Sequence, residues 1–204
     1  MRKIYVLTAY LAPVEYYVEI AKAETVFIEN CDFYQKQTYR NRCRIAAANG
    51  LMTLSIPVEK TGSEKIYTRD VRISGHNDWQ LNHWRSIESA YNSTPFFEYY
   101  KDELIPFYEK KWTFLWDFNQ ELLSKMLELL NLQPVIQLTD EYKDKPDDSF
   151  LDLREAIHPK KESQSFYGRP YYQVFEQRFG FQPNLSIIDL LFNMGNESQL
   201  LINS

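Results

Sequence analysis

The stretch I-Y-V-L-T-A-Y-L-A-P-V-E-Y-Y-V-E-I-A-K-A-E-T-V-F-I-E, Ile4 to Glu29, decides the fold. Ile4 to Thr8 is a short β-prone run. Pro13 then opens a segment whose apolar positions Val14, Tyr17, Val18 and Ala21 recur at helical spacing. Thr25 to Glu29 returns to β-branched and aromatic residues. Strand, helix and strand in so short a span predict a parallel βαβ unit, and with it an α/β fold on a Rossmann-like base.

Working outward, Lys36 to Ile45 (K-Q-T-Y-R-N-R-C-R-I) and Leu51 to Val58 flank Asn49-Gly50, a strong hairpin signal between two alternating runs. Thr61-Gly62-Ser63 reads as a loop, and Ile66 to Ile73 as a further alternating run. Beyond it the periodicity changes to about 3.6. A helix capped by Asn77 or Asp78 carries Trp79, His83, Ile87, Ala90 and Tyr91 on one face. Pro95-Phe96-Phe97-Glu98 and Pro106-Phe107-Tyr108-Glu109 look like two helix starts of one kind. Trp112 to Leu130 is a long helix striped with Leu115, Phe118, Leu122, Met126 and Leu129. Val135 to Leu138 is a candidate strand, and 140–148 a charged loop. Tyr171 to Phe179 is a helix ended by Gly180, and Ser186 with Asp189 resembles a capping box opening the last helix. The expected fold is therefore α/β: a βαβ unit and a β-hairpin form a mixed sheet over about residues 1–75, and a mainly helical half, about 76–204, packs on it as one domain.

With 204 residues, 44% of them hydrophobic, the chain can bury one substantial core. Its net charge of -5 argues against a nucleic-acid partner. Residues 1–75 nevertheless hold 11 Lys and Arg against 8 Asp and Glu, so the first third attracts anions. The two cysteines, Cys31 and Cys43, have neither disulfide-framework nor zinc-ligand spacing, and a reducing cytoplasm is the expected compartment. Arg2-Lys3, the apolar run to Val14 and Ala21-Lys22-Ala23 imitate a secretory signal. Glu15, Glu19 and the tyrosines between them favour reading that segment as strand and helix. No run is apolar for long enough to span a bilayer.

The candidate site begins with Lys36 to Ile45. In an extended chain Arg40, Arg42 and Arg44 share one face, opposite Tyr39, Asn41, Cys43 and Ile45. A row of guanidinium groups gains little from itself and suits phosphate or carboxylate. A solvated strand face is the ordinary alternative. Lys36, Tyr39, Arg40, Asn41, Arg42 and Arg44, with Tyr10 in the turn after the first strand, are therefore the expected ligand contacts. His83 has two readings: a hydrogen-bonded core histidine, or a general acid or base beside the arginines. Asp189 is either the capping-box residue or a second catalytic group. His158, before Pro159, reads as an exposed loop residue and His76 as less still. No Walker loop, G-x-G-x-x-G, Ser-His-Asp order or H-x-x-x-H spacing is present, so the sequence names no cofactor and no metal site.

Five segments carry a resemblance: A-Y-L-A-P-V-E-Y-Y (Ala9 to Tyr17), K-Q-T-Y-R-N-R-C-R-I, L-S-I-P-V (Leu54 to Val58), H-W-R-S-I-E-S-A-Y-N-S-T-P-F-F (His83 to Phe97) and P-N-L-S-I-I-D-L-L-F-N-M-G (Pro183 to Gly195). Together they resemble the WbqC-like family, bacterial proteins associated by name with O-antigen and other surface-polysaccharide biosynthesis. Many members have Gln-Pro after the first strand and Asp-Asp after the second, where this chain has Thr8-Ala9 and Asn30-Cys31. If the acidic pair is catalytic elsewhere, this branch has lost or rearranged that chemistry. The resemblance implies a cytoplasmic transferase taking a nucleotide-linked sugar or another phosphorylated small molecule. The alternative is a non-catalytic assembly factor docking its aromatic residues on a partner enzyme or glycan.

Overall fold

The structure is a computed structural model describing residues 2–60, 65–163 and 169–203, so the loop expected at Thr61-Gly62-Ser63 lies outside the described residues. The βαβ unit is present. Strand β1 (Arg2–Leu7) and strand β2 (Ala23–Glu29) pair in parallel, with Ile4 opposite Val26 and Val6 opposite Ile28. All four of these side chains are fully buried, each contributing about 1.5–3 kcal/mol of hydrophobic stabilisation. Helix α1 (Val14–Lys22) joins them, and Pro13 immediately before it is already set at φ -66°. It is buried nearly all round, because the two last helices of the chain cover the side turned away from the sheet. Among its buried residues are Glu15, held by Asn184, and Glu19, paired with Arg2.

Strands β3 (Arg42–Ala47) and β4 (Gly50–Ser55) form the expected antiparallel hairpin, with Gly50 at φ +105° in its turn. Two details differ from expectation. The first strand starts at Arg42 and not at Lys36. Thr38 Oγ donates to the Gln35 carbonyl and accepts from the Arg40 amide, and Gln37 adopts φ +64°, so local bonds turn the chain before the ladder begins. The hairpin is also a sheet of its own and does not join β1 and β2 in a mixed sheet. Both edges of the βαβ pair are taken by late, three-residue parallel strands, β5 (Ile136–Leu138) beside β2 and β6 (Phe150–Asp152) beside β1.

Helices α2 (Trp79–Tyr91), α3 (Phe97–Glu109) and α4 (Leu115–Leu129) follow, α2 packing on β3 of the hairpin and on α3, and the expected apolar faces of α2 and α4 enter the core. Pro106 sits inside α3, so the two aromatic segments belong to one helix. Residues 66–73 form a 3-10 turn at Thr68–Asp70 with isolated bridges on either side, not a strand, because the Thr68 amide is drawn to the Asp32 carbonyl. The helix expected from Tyr171 shrinks to α5 (Glu176–Phe179). Helices α6 (Ile187–Met194) and α7 (Ser198–Ile202) close the chain. No capping box opens α6: Ser186 Oγ donates to the Leu11 carbonyl, and Asp189 turns away to other partners. Among the described residues no helix is long and apolar enough to cross a membrane.

Candidate functional site at the carboxyl ends of the parallel sheet

The parallel sheet has the order β5-β2-β1-β6. From β1 the chain steps outward through β2 to β5, then returns to place β6 on the other side of β1. Where the direction of winding reverses, the loops leaving neighbouring strands diverge and open a crevice beyond their carboxyl ends, the usual ligand position in open α/β sheets. Here a cleft of about 650 Å³ lies at that end, with a recess of about 20 Å³ beside it. Leu7, Arg40, Arg154 and Glu155 line both.

Two buried ion pairs brace the floor. Arg40 donates through Nε and Nη2 to Asp32 Oδ2 at 2.9 and 2.6 Å, and Thr68 Oγ donates to the same oxygen at 2.9 Å. Asp32 Oδ1 is buried with no hydrogen-bond partner among the described residues. Burial raises the Asp32 carboxyl above its usual range, against the opposing pull of Arg40. Arg154 donates to Glu29 Oε2 at 2.8 Å, to Asp152 at 2.9 and 2.7 Å and to the Lys143 carbonyl at 2.7 Å, between the rings of Tyr5 and Tyr142. Glu29 is completely buried and also accepts from Thr139 Oγ and the Cys31 amide.

The walls have unequal character. Residues 32–35 and 65–69 are tied together by the Asp32–Thr68 and Tyr34–Ile66 backbone bonds and bring Phe33, Tyr34, Lys65, Tyr67 and Arg69 to the cleft. The loops after β5 and β6 bring Asp140, Glu141, Tyr142 and Glu155. No group of three His, Cys, Asp or Glu among the described residues stands close enough to hold a metal ion.

The residues expected from sequence are dispersed. Arg40 leaves the arginine row, because it precedes the strand and its guanidinium turns inward to Asp32. Arg42 and Arg44 remain together on the half-buried face of β3. Arg42 acts electrostatically on the cleft residue Tyr34, and Arg44 donates to the Tyr39 hydroxyl at 3.1 Å. The Nε atoms of both are buried without partners among the described residues. Tyr39 is buried beside the recess, Asn41 Nδ2 donates to the Ile56 carbonyl, and Lys36 is exposed in the preceding turn.

Tyr10 and His83 belong to the core. The Tyr10 hydroxyl lies 3.0 Å from His83 Nδ1 and 2.9 Å from the Tyr108 hydroxyl, and burial pushes His83 down to about 4. Asp189, buried in α6, accepts from Tyr91, Tyr171 and Gln173, and burial still pushes it up to about 6. Neither His83 nor Asp189 lines the cleft or the recess. The histidine at the sheet end is His158, which lines the recess and lies close enough to Arg40 to feel its charge. Its Nδ1 accepts from the Lys160 amide at 3.1 Å, and burial, with Lys161, Lys160 and Arg40, lowers its pKa.

Asp32, Arg154, Lys65 and Arg69 all line the cleft and are not singled out by the sequence. Asp32 stands directly after Asn30-Cys31, the place of the acidic pair in the family pattern. Arg154 would have been placed at a strand end had Phe150 to Leu153 been read as β.

Comparison with known proteins follows the same lines. The sequence profile described as the WbqC-like protein family matches residues 8–174. The uncharacterized protein Rv1507c of Mycobacterium tuberculosis is 28% identical over 224 aligned positions, covering 97% of this chain and 96% of its own. No solved structure matches the chain.

Proposed function

The chain belongs to the WbqC-like protein family, and from that premise we propose that it is a cytoplasmic enzyme of bacterial surface-polysaccharide biosynthesis, a transferase whose phosphorylated small-molecule substrate sits in the sheet-end cleft. One observation carries this reading: a cleft of ligand size opens at the winding reversal of a parallel sheet, its floor held by buried ion pairs. Such bracing fixes loop positions, which catalysis needs and simple stability does not. Lys65 and Arg69, in no ion pair among the described residues, are the cations open to phosphate, while Arg42 and Arg44 add positive potential behind Tyr34 and Tyr39. His158, its pKa lowered by burial and its Nδ1 occupied as an acceptor, has Nε2–H left as a hydrogen-bond donor beside the cleft.

The test is a thermal-shift screen with sugar 1-phosphates, nucleotide-linked sugars and pyrophosphate. Occupancy at 100-fold over the dissociation constant adds about 2.7 kcal/mol, and Arg69→Glu should abolish the response. A screen in which no phosphorylated compound shifts the melting point overturns the proposal.

A second reading, a non-catalytic assembly factor, is favoured by β5, an edge strand among the described residues, where Val135, Ile136 and Leu138 are exposed. Ile136→Lys would then cost partner binding and leave ligand binding intact.

A further inference from the structure

Strand β5 bonds to β2 through alternate residues. The Val26 amide donates to the Val135 carbonyl and the Thr139 amide to the Ile28 carbonyl, so residues 135, 137 and 139 turn their backbone groups toward β2. Ile136 and Leu138 therefore turn theirs outward, and nothing among the described residues pairs with them. All three residues of the strand are exposed. It is short, which limits what it can template, but it carries none of the charges, prolines or bulges that blunt an edge. Apolar surface continues from it across Val135, Pro134 and Leu132 to Ala21 and Ala23, where a mainly apolar groove of about 170 Å³ opens.

We infer that a second copy of this chain occupies this edge, pairing β5 with β5 antiparallel about a two-fold axis at Gln137 and joining the two four-stranded sheets into one. The backbone groups match in that register. Ile136 lies opposite the second copy's Leu138, and each of the two such pairs exchanges two hydrogen bonds. Their side chains lie on the sheet face of Val26 and Ile28, so the seam prolongs an apolar layer already present. Charge agrees as well: continuing the register sets Asp140 against Pro134 and Glu141 against Gln133, so no like charges are opposed. The pairing is also closed, since each copy uses its edge once and neither β5 is left to recruit a third chain. An isolated peptide strand would instead leave its own far edge unpaired. The consequence reaches the cleft, because β5 runs directly into its acidic wall at Asp140, Glu141 and Tyr142, which the second copy then supports. An edge closed in this way is not open to the other protein that the second reading places there. The pairing is independent of which ligand the cleft takes.

Sedimentation equilibrium of the wild-type chain at micromolar concentration should give twice the mass of one chain. Leu138→Pro removes an outward amide and none of the bonds to β2, and Ile136→Lys sets a charge against Leu138. Each should sediment as a single chain with the circular dichroism of wild type. Leu200→Lys, at an apolar site 73% exposed on α7, should leave the dimer intact. Gln137→Cys in a Cys31→Ser background should form an interchain disulfide under mild oxidation, because residues on the axis face each other at a non-hydrogen-bonded position, Cα atoms about 4.5 Å apart. A wild type that sediments as a single chain overturns the proposal. So does a dimer that survives both edge substitutions, or one in which the Gln137→Cys chain stays unlinked, whether or not the edge variants fold.

Discussion

Two buried groups that do not line the cleft should tilt the acid stability of this protein in opposite directions, and single substitutions should separate them. His83 is pushed by burial from an ordinary 6.5 to about 4. Its stability contribution is intact above pH 6.5 and is lost as the pH falls toward 4, because the unfolded chain takes up a proton that the core refuses. The gap corresponds to about 3 kcal/mol. Asp189 is pushed by burial from 3.8 to about 6 despite its three donors. Its contribution is fully present below pH 3.8 and is lost as the pH rises through 6, again by about 3 kcal/mol. Between pH 6.5 and 4 the two nearly cancel. Asp189→Asn should therefore lose about 3 kcal/mol more than wild type across that interval, and His83→Gln about 3 kcal/mol less. Urea unfolding at several pH values, with the denaturant slope checked for constancy, reads this directly. The surface carboxylates are common to all three proteins and drop out of the comparison. If the Asp189→Asn profile runs parallel to wild type, the attribution of its raised pKa to burial is wrong.

Three further outcomes follow from the geometry. Arg154→Met strands the fully buried Glu29 carboxylate and should cost about 3–5 kcal/mol in chemical denaturation, much of it restored by adding Glu29→Gln. Gly195→Ala should destabilise more than Gly50→Ala in thermal melts: both have positive φ, but a Cβ at Gly195 would meet the Phe96 ring at 2.7 Å, whereas Gly50 has nothing within 4 Å. The backbone penalty alone should exceed about 1 kcal/mol. Once a turnover assay exists, His158→Ala should lower the catalytic rate with an unchanged melting temperature, while His83→Ala should lower the melting temperature.

The βαβ unit was legible because two short β-prone runs flank a segment of helical period, and the hairpin because Asn49-Gly50 gives a turn that few other residues can adopt. Helices α2 and α4 announced themselves through their stripes, whereas α3 was split in reading because Pro106 imitates a helix start. Strand β6 was not legible: three residues beside a charged segment carry no period, and only the waiting edge of β1 makes them a strand. The arginine row failed for a local reason, since Thr38 and Gln37 bend the chain before pairing starts. Of the expected contacts Arg40 and Tyr39 reach the sheet end, but Asp32 and Arg154 are brought together there only by topology. His83 was misleading because a helix face reports burial and says nothing about which cavity lies nearby.

The position of β6 also bears on how the chain is made. Strand β1 is synthesised well over a hundred residues before the segment that completes one of its edges, which follows only from residue 150 on. Until then a nascent chain displays an unpaired strand edge, and Arg154 is not there to neutralise Glu29. Closing contacts at such long sequence separation is slow, and exposed edges invite association with other chains. Synthesis of this protein should accordingly lean on chaperones, and a stop codon placed shortly before Phe150 should yield aggregates instead of a smaller folded unit.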